Sequence, residues 1–337
     1  MIDYNDLREI DSSKMHEIYD EWPKMARKAY EYDHEFQKFD NISHIVFIGM
    51  GGSGAIGDIF KSILSRTKIH VTVVKGYIIP KTVDNKTLVI PISISGNTVE
   101  TLASLKSAKK LNAKILSFSS GGEMKNFCIE NNIQHKEISM IHSPRSSFVI
   151  FLFSMLKILK LILPIKEAEI TEAMESMEET NKNICYQNMT EQNVALQLAQ
   201  SITKIPLIYY PYGLESAAIR FKNCLQENAK IHAAAEDVIE ECHNGIVSWE
   251  KKSNFIPILI QGSDDHIKTK ERWIILKKYF NANSIEYLEV KSIKGGILSK
   301  IINLIYLLDY TSIYVALLSK TDPTPVKSIE FIKQNLA

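Results

Sequence analysis

The run Ile45-Val46-Phe47-Ile48 passes directly into Gly49-Met50-Gly51-Gly52-Ser53-Gly54, and this junction restricts the fold more than any other feature. Consecutive apolar residues without polar alternation mark a short strand covered on both faces. The glycine-rich turn that follows opens a helix-like segment reaching Arg66. The same texture then recurs. Val71–Val74, Leu88–Ile92 and Ala113–Phe118 read as further strands, separated by helix-length segments such as Val99–Leu111. Strand and helix alternating at this spacing predict a parallel α/β sheet flanked by helices.

A second series follows a polar, acidic, helix-like stretch from Glu167 to Asn193. Ile205–Tyr210, Phe255–Ile260 and Ile285–Val290 read as its strands. Helices are expected over Leu214–Asn228, through Trp273 and Tyr279, and from beyond Val290 into the C-terminus. A chain of 337 residues is long for one core and comfortable for two. The expected organisation is a helical segment over residues 1–40, one α/β domain over 41–165 and a second over 166–337. In the first segment Met15, Ile18, Trp22 and Met25 are spaced to share one apolar helix face.

Charge narrows the function classes. Forty Lys plus Arg against thirty-nine Asp plus Glu leave a net charge of +1, and only six of those cations are Arg. A basic nucleic-acid binder would show neither feature, so no nucleic-acid partner is expected. Cys128, Cys185, Cys224 and Cys242 are scattered, with no C-x-x-C pair, as in free thiols of a reducing cytosol. The opening Met1–Asp6 is acidic and polar rather than a signal sequence. Phe148–Leu163 is broken by Lys157 and Lys160, and Ile301–Leu318 carries Asp309, so both read as buried helices rather than membrane spans. A cytoplasmic protein with no membrane partner is expected.

The glycine turn can hold an anion, because glycine lets backbone N–H groups approach it and the helix N-terminus adds partial positive charge. A P-loop is excluded, since no Gly-Lys-Ser/Thr follows. A nucleophile elbow misses by one position, with Ala55 where the second glycine belongs. The spelling also satisfies G-x-G-x-x-G, but the second strand ends in Lys75-Gly76 rather than the acid that holds a ribose. That lysine keeps an NADP-binding reading open, and a turn used only for helix packing is a further alternative. The third strand adds Ser93-Ile94-Ser95-Gly96-Asn97-Thr98 just before a helix. Asn97 with Glu100 three residues on predicts a capping box. Ser93, Ser95 and Thr98 would then cluster beside helix N–H groups as a neutral cup for a phosphate monoester. Ser119-Ser120-Gly121-Gly122 closes the next strand in similar style.

Ile48–Gly54 together with Ser93–Thr98 resembles the sugar isomerase (SIS) domain, which binds phosphosugars. Gln226-Glu227-Asn228-Ala229-Lys230, Glu241-Cys242-His243-Asn244, Ser143-Pro144-Arg145 and the ending from Asp322-Pro323-Thr324-Pro325 through Lys333 are similar to the bifunctional phosphoglucose/phosphomannose isomerases. The resemblance covers the chain from about residue 40 onward and implies two tandem SIS-type domains. It implies a metal-independent aldose–ketose isomerase interconverting glucose 6-phosphate, and mannose 6-phosphate, with fructose 6-phosphate through a cis-enediol. Gly51, Gly52, Ser53, Ser93, Ser95 and Thr98 would bind the substrate phosphate. Glu227 would carry the proton between carbons, Arg145 would stabilise the oxyanion, and His243 and Lys333 would assist ring opening. No cofactor is implied. A homodimer is, with His243 reaching the partner's site.

Two positions depart from the family pattern: Ile94 stands where Tyr is common, and Cys242 where a second His is expected. A non-catalytic phosphosugar regulator and an isomerase of amino-sugar phosphates are the alternative functions. No H-x-H or H-E-x-x-H spacing suggests a metal site.

Overall fold

The apolar run at the glycine turn is the strand β1, His44–Ile48, buried at every residue. The computed structural model describes residue 7 and residues 9–336, so the acidic opening Met1–Asp6 lies outside the described residues. In chain order the other strands of the first sheet are β2 (His70–Val74), β3 (Thr87–Ser93), β4 (Lys114–Ser119) and β5 (Gln134–Glu137). The second sheet holds β6 (Ile205–Tyr210), β7 (Ala234–Asp237), β8 (Phe255–Gln261) and β9 (Leu288–Lys291). All neighbouring strands pair in parallel. The spatial orders are β2-β1-β3-β4-β5 and β7-β6-β8-β9. The expected α/β class with two parallel sheets flanked by helices is what the chain forms.

The chain divides into two compact units. The first comprises residues 21–178 with 295–301. The second holds the described residues up to Asp20, then 179–294 and those from 302 onward.

In the first unit the helix Gly51–Leu64 follows β1, Val99–Lys109 follows β3, and Gly122–Glu130 follows β4. β5 has no counterpart among the expected strands. Its four residues, Gln-His-Lys-Glu, carry no apolar run, and pairing with β4 is what makes them a strand. The apolar stretch beginning at Phe148 is a buried helix, Phe148–Ile158, as expected.

In the second unit the helix Glu215–Asn228 leaves β6 and Ile267–Ala282 leaves β8. β7 is another short edge strand without an expected counterpart, and β9 starts at Leu288 rather than Ile285. The long C-terminal helix is two helices, Ile297–Leu318 and Lys327–Asn335, because Pro323 and Pro325 lie between them and cannot continue the ladder. Ile297–Leu318 is the one described helix long and apolar enough to cross a membrane, and 89 % of its apolar window is buried within the protein. Tyr306, Tyr310 and Tyr314 line one face of it at four-residue spacing. Each hydroxyl has an acceptor: the Tyr19 carbonyl at 2.8 Å, Asp20 Oδ1 at 2.7 Å and the Ile184 carbonyl at 2.9 Å.

Candidate phosphosugar site

In the first unit the order β2-β1-β3 reverses direction between β1 and β3, where ligands collect at the carboxyl ends of an open parallel sheet. The glycine turn and the Ser93–Thr98 loop leave the sheet at that point. Gly49 N–H donates to the Val74 carbonyl at 3.1 Å, tying the turn to β2. A Cβ on Gly54 would stand 2.7 Å from the Gly49 carbonyl oxygen, so only glycine lets the helix start fold this tightly over the turn.

Two of the loop's hydroxyls meet directly, and a third lies across from them on the glycine turn. Ser93 Oγ and Thr98 Oγ1 are 2.9 Å apart, and Ser53 Oγ accepts the Ile94 N–H at 3.3 Å across the two loops. Ser95 Oγ accepts the Asn97 N–H at 3.4 Å. Ile94 serves through its backbone while its side chain is buried, so its departure from the family pattern leaves the hydroxyl cluster intact. Lys75, the cation of the NADP-binding reading, is paired with Asp58 at 2.6 Å.

The predicted capping box is absent. Thr98 is the N-cap of the Val99–Lys109 helix and makes no side-chain cap. Asn97 Oδ1 instead accepts the Glu123 N–H at 3.0 Å, capping the first turn of the neighbouring helix, Gly122–Glu130. The Ser119–Gly122 loop clasps the second loop: Ser120 N–H donates to the Ile94 carbonyl at 3.1 Å and Met124 N–H to the Gly96 carbonyl at 2.9 Å. Arg145 is buried in a turn knotted by hydroxyls, where Ser147 Oγ donates to the carbonyls of Ile141 and Ser143, each at 2.8 Å.

In the second unit Glu227 is half-buried in the last turn of the Glu215–Asn228 helix. Lys230, beyond the helix end, sends its ammonium to the carbonyls of Glu227 at 2.7 Å and Asn228 at 3.2 Å, where a cation complements the helix dipole. The same ammonium donates to the carbonyls of Asp322 at 3.0 Å and Pro323 at 3.2 Å. The Asp322–Pro325 motif is thus tied to the backbone that carries Glu227, a link residues ninety apart in sequence do not reveal. His243 lies exposed between the one-turn helix Val238–Glu241 and the 3₁₀ turn Gly245–Glu250. Cys242 packs partly buried against the apolar cluster of Tyr209, Val238 and Trp249, and burial raises its thiol pKa. Lys333 is exposed in the last turn of Lys327–Asn335, a helix without a buried residue. Among the described residues no three His, Cys, Asp or Glu side chains come together as a metal site.

Residues 38–143 match the SIS domain, and residues 191–336 match the bacterial phospho-glucose isomerase C-terminal SIS domain. A bifunctional phosphoglucose/phosphomannose isomerase of Caldicellulosiruptor bescii is 33 % identical over 94 % of this chain and 96 % of its own. The chain belongs to the bifunctional phosphoglucose/phosphomannose isomerase family. A D-glucosamine-6-phosphate 4-epimerase of Sulfolobus acidocaldarius is 30 % identical over 73 % of this chain and 77 % of its own. Among solved structures, the C-terminal domain of glucosamine-fructose-6-phosphate aminotransferase from Francisella tularensis superposes with a TM-score of 0.68, covering 93 % of this chain and 97 % of that one at 19 % identity. That likeness is one of fold. Family membership and the tandem SIS architecture agree with the sequence reading.

Proposed function

We propose that this chain interconverts glucose 6-phosphate and mannose 6-phosphate with fructose 6-phosphate through a shared cis-enediol. The match to a bifunctional isomerase over 94 % of this chain carries this reading, and the hydroxyl cluster at the β1/β3 crevice supports it. Ser53, Ser93, Ser95 and Thr98, with the backbone at Gly51 and Gly52, hold the phosphate through hydroxyl and N–H donors. Glu227 takes the proton from C2 of the aldose and returns it to C1, giving the ketose. Arg145 neutralises the enediolate oxygen, and His243 and Lys333 move the ring proton. Both aldoses collapse to one enediol, which is why one carboxylate serves both. No metal or cofactor is assigned to any step.

The test is a coupled assay from fructose 6-phosphate to each aldose phosphate, with and without EDTA. Formation of both aldose phosphates, unchanged by EDTA, is expected. No turnover of either, or death on chelation with rescue by zinc, overturns the reading. A second reading, action on an amino-sugar phosphate, is favoured by the epimerase relative, and glucosamine 6-phosphate in the same assay addresses it.

The protein is a homodimer in this proposal, with His243 acting in the partner's site. Support comes from the exposed apolar residues Ile329, Phe331 and Ile332 on the otherwise unburied C-terminal helix. Mixing Glu227→Gln with His243→Ala subunits should restore about a quarter of wild-type activity when half the dimers are mixed, because one site per mixed dimer collects no lesion. Verified mixed dimers without activity rule the shared site out. A cytoplasmic location and the domain bounds 41–165 and 166–337 belong to the same proposal. The family matches at 38–143 and 191–336 support the bounds.

A further inference from the structure

The segment that carries His243 is fastened at several points, and the fastening involves a residue with no assigned role. Tyr209 lies fully buried in β6, between β7 and β8, paired with Glu236 on one side and Leu259 on the other. Its hydroxyl donates to Glu241 Oε1 at 3.0 Å and accepts the Trp249 indole N–H at 2.9 Å. An indole N–H can only donate, so the single phenolic proton must point at Glu241 and the chain has one direction. Cys242 and Ile246 pack against the cluster that contains Tyr209 and Trp249.

Between these anchors the turn closes around the Glu241 carboxylate. A Cβ on Gly245 would overlap that carboxylate, so the acid occupies the space a side chain at 245 would need. Asn244 Nδ2 donates to Glu240 Oε1 at 3.1 Å, and the His243 N–H donates to the Glu240 carbonyl at 2.9 Å. Glu241, Cys242, Ile246 and Trp249 therefore hold the segment to the unit, while His243 stands exposed.

We infer that Tyr209 and Glu241 are positioning residues for His243, acting through the turn and not on the substrate. The inference rests on the ring-opening role proposed for His243. The phosphate is held elsewhere in the proposed mechanism, so loosening the turn should lower kcat and leave KM nearly unchanged. About a 1 Å misplacement of a reacting group corresponds to roughly a 100-fold loss.

The experiment measures kcat, KM and Tm for His243→Ala, Tyr209→Phe, Glu241→Ala, Glu241→Gln, Gly245→Ala and the double variant Glu241→Ala/Gly245→Ala. Tyr209→Phe, Glu241→Ala and Gly245→Ala should each lose roughly 10- to 100-fold in kcat with KM within about twofold. Glu241→Gln, which keeps an acceptor for Tyr209, should recover most of the loss seen with Ala. The double variant should be no worse than Glu241→Ala alone, because removing the carboxylate makes room for the new methyl group. Wild-type kcat in Tyr209→Phe and Glu241→Ala beside an inactive His243→Ala overturns the inference and leaves the His243 role standing. An active His243→Ala removes the role itself and the inference with it. A loss that follows Tm alone, with Glu241→Gln as damaged as Glu241→Ala, makes these residues merely structural and also overturns it.

Discussion

Gly96 sits where the Ser93–Thr98 loop meets the Ser119–Gly122 loop that clasps it, and replacing it by alanine tests how rigidly the proposed phosphate site is held. Two costs are expected. Gly96 has φ +75°, a left-handed conformation that costs an L-residue about 1–2 kcal/mol. The new Cβ would also overlap the Gly121 carbonyl oxygen and stand 2.6 Å from its carbon. Carbon atoms settle at about 3.5–4.0 Å, so one loop must move by roughly 1 Å. Movement breaks the bonds from Met124 N–H to the Gly96 carbonyl and from Ser120 N–H to the Ile94 carbonyl, each worth about 1 kcal/mol net.

The expected loss is therefore about 3–4 kcal/mol, or roughly 6–16 °C in Tm for a folding unit of this size. A 1 Å shift of Ser93, Ser95 and Thr98 should also cut kcat/KM by about 100-fold. Gly51→Ala is the control. Its φ is +52°, but a Cβ there meets nothing within 4 Å, so only the conformational strain of about 1–2 kcal/mol applies. Tm is read by scanning without substrate, and kcat/KM by the coupled assay. If Gly96→Ala unfolds at the same temperature as Gly51→Ala, the loop contact is not the constraint described above.

Glu227→Gln should lose about 100- to 10,000-fold in kcat while phosphosugar binding, read by calorimetry, stays within a few-fold; loss of binding would mark Glu227 as structural. Asn97→Ala should destabilise the protein by about 1 kcal/mol and speed hydrogen exchange at the Glu123 amide, with the Glu100 amide unaffected. Equal protection at both amides would contradict the cross-loop cap. Burial raises the Asp20 carboxyl from 3.8 to about 6, so the folded protein holds its proton more tightly than the unfolded chain. Its contribution is present below about pH 4, is lost as pH rises through 6, and is level above. Asp20→Asn should thus match the parent in urea unfolding at pH 3.5 and exceed it by up to about 3 kcal/mol at pH 8; a difference independent of pH would refute this.

Elements whose character is local are legible in the order of residues alone. β1, β3, β6 and β8 were readable because their residues are apolar without alternation, and a buried parallel strand needs nothing more. The glycine turn and the serine loop are legible for a similar reason, since tight turns are built from neighbouring residues. The four-residue strands β5 and β7 were not, because their strand state comes from the partners β4 and β6. Asn97 looked like the cap of its own helix, and only the folded sheet brings the Glu123 N–H, twenty-six residues on, within reach of its side chain.

Glu241 is legible as part of a motif, but its partners are not. Tyr209, on β6, meets Glu241 thirty-two positions away and Trp249 forty positions away. The hydroxyl cluster at the β1/β3 crevice combines both cases. Each loop spells its own donors, but Ser53 meets Ile94 across forty-one residues because β1 and β3 pair in parallel, Ile48 beside Pro91, and release their loops at the same end of the sheet. Residue type and spacing determine which groups can donate, accept or turn. Which of them face one another is decided by strand pairing, because a parallel ladder joins segments by register and not by distance along the chain.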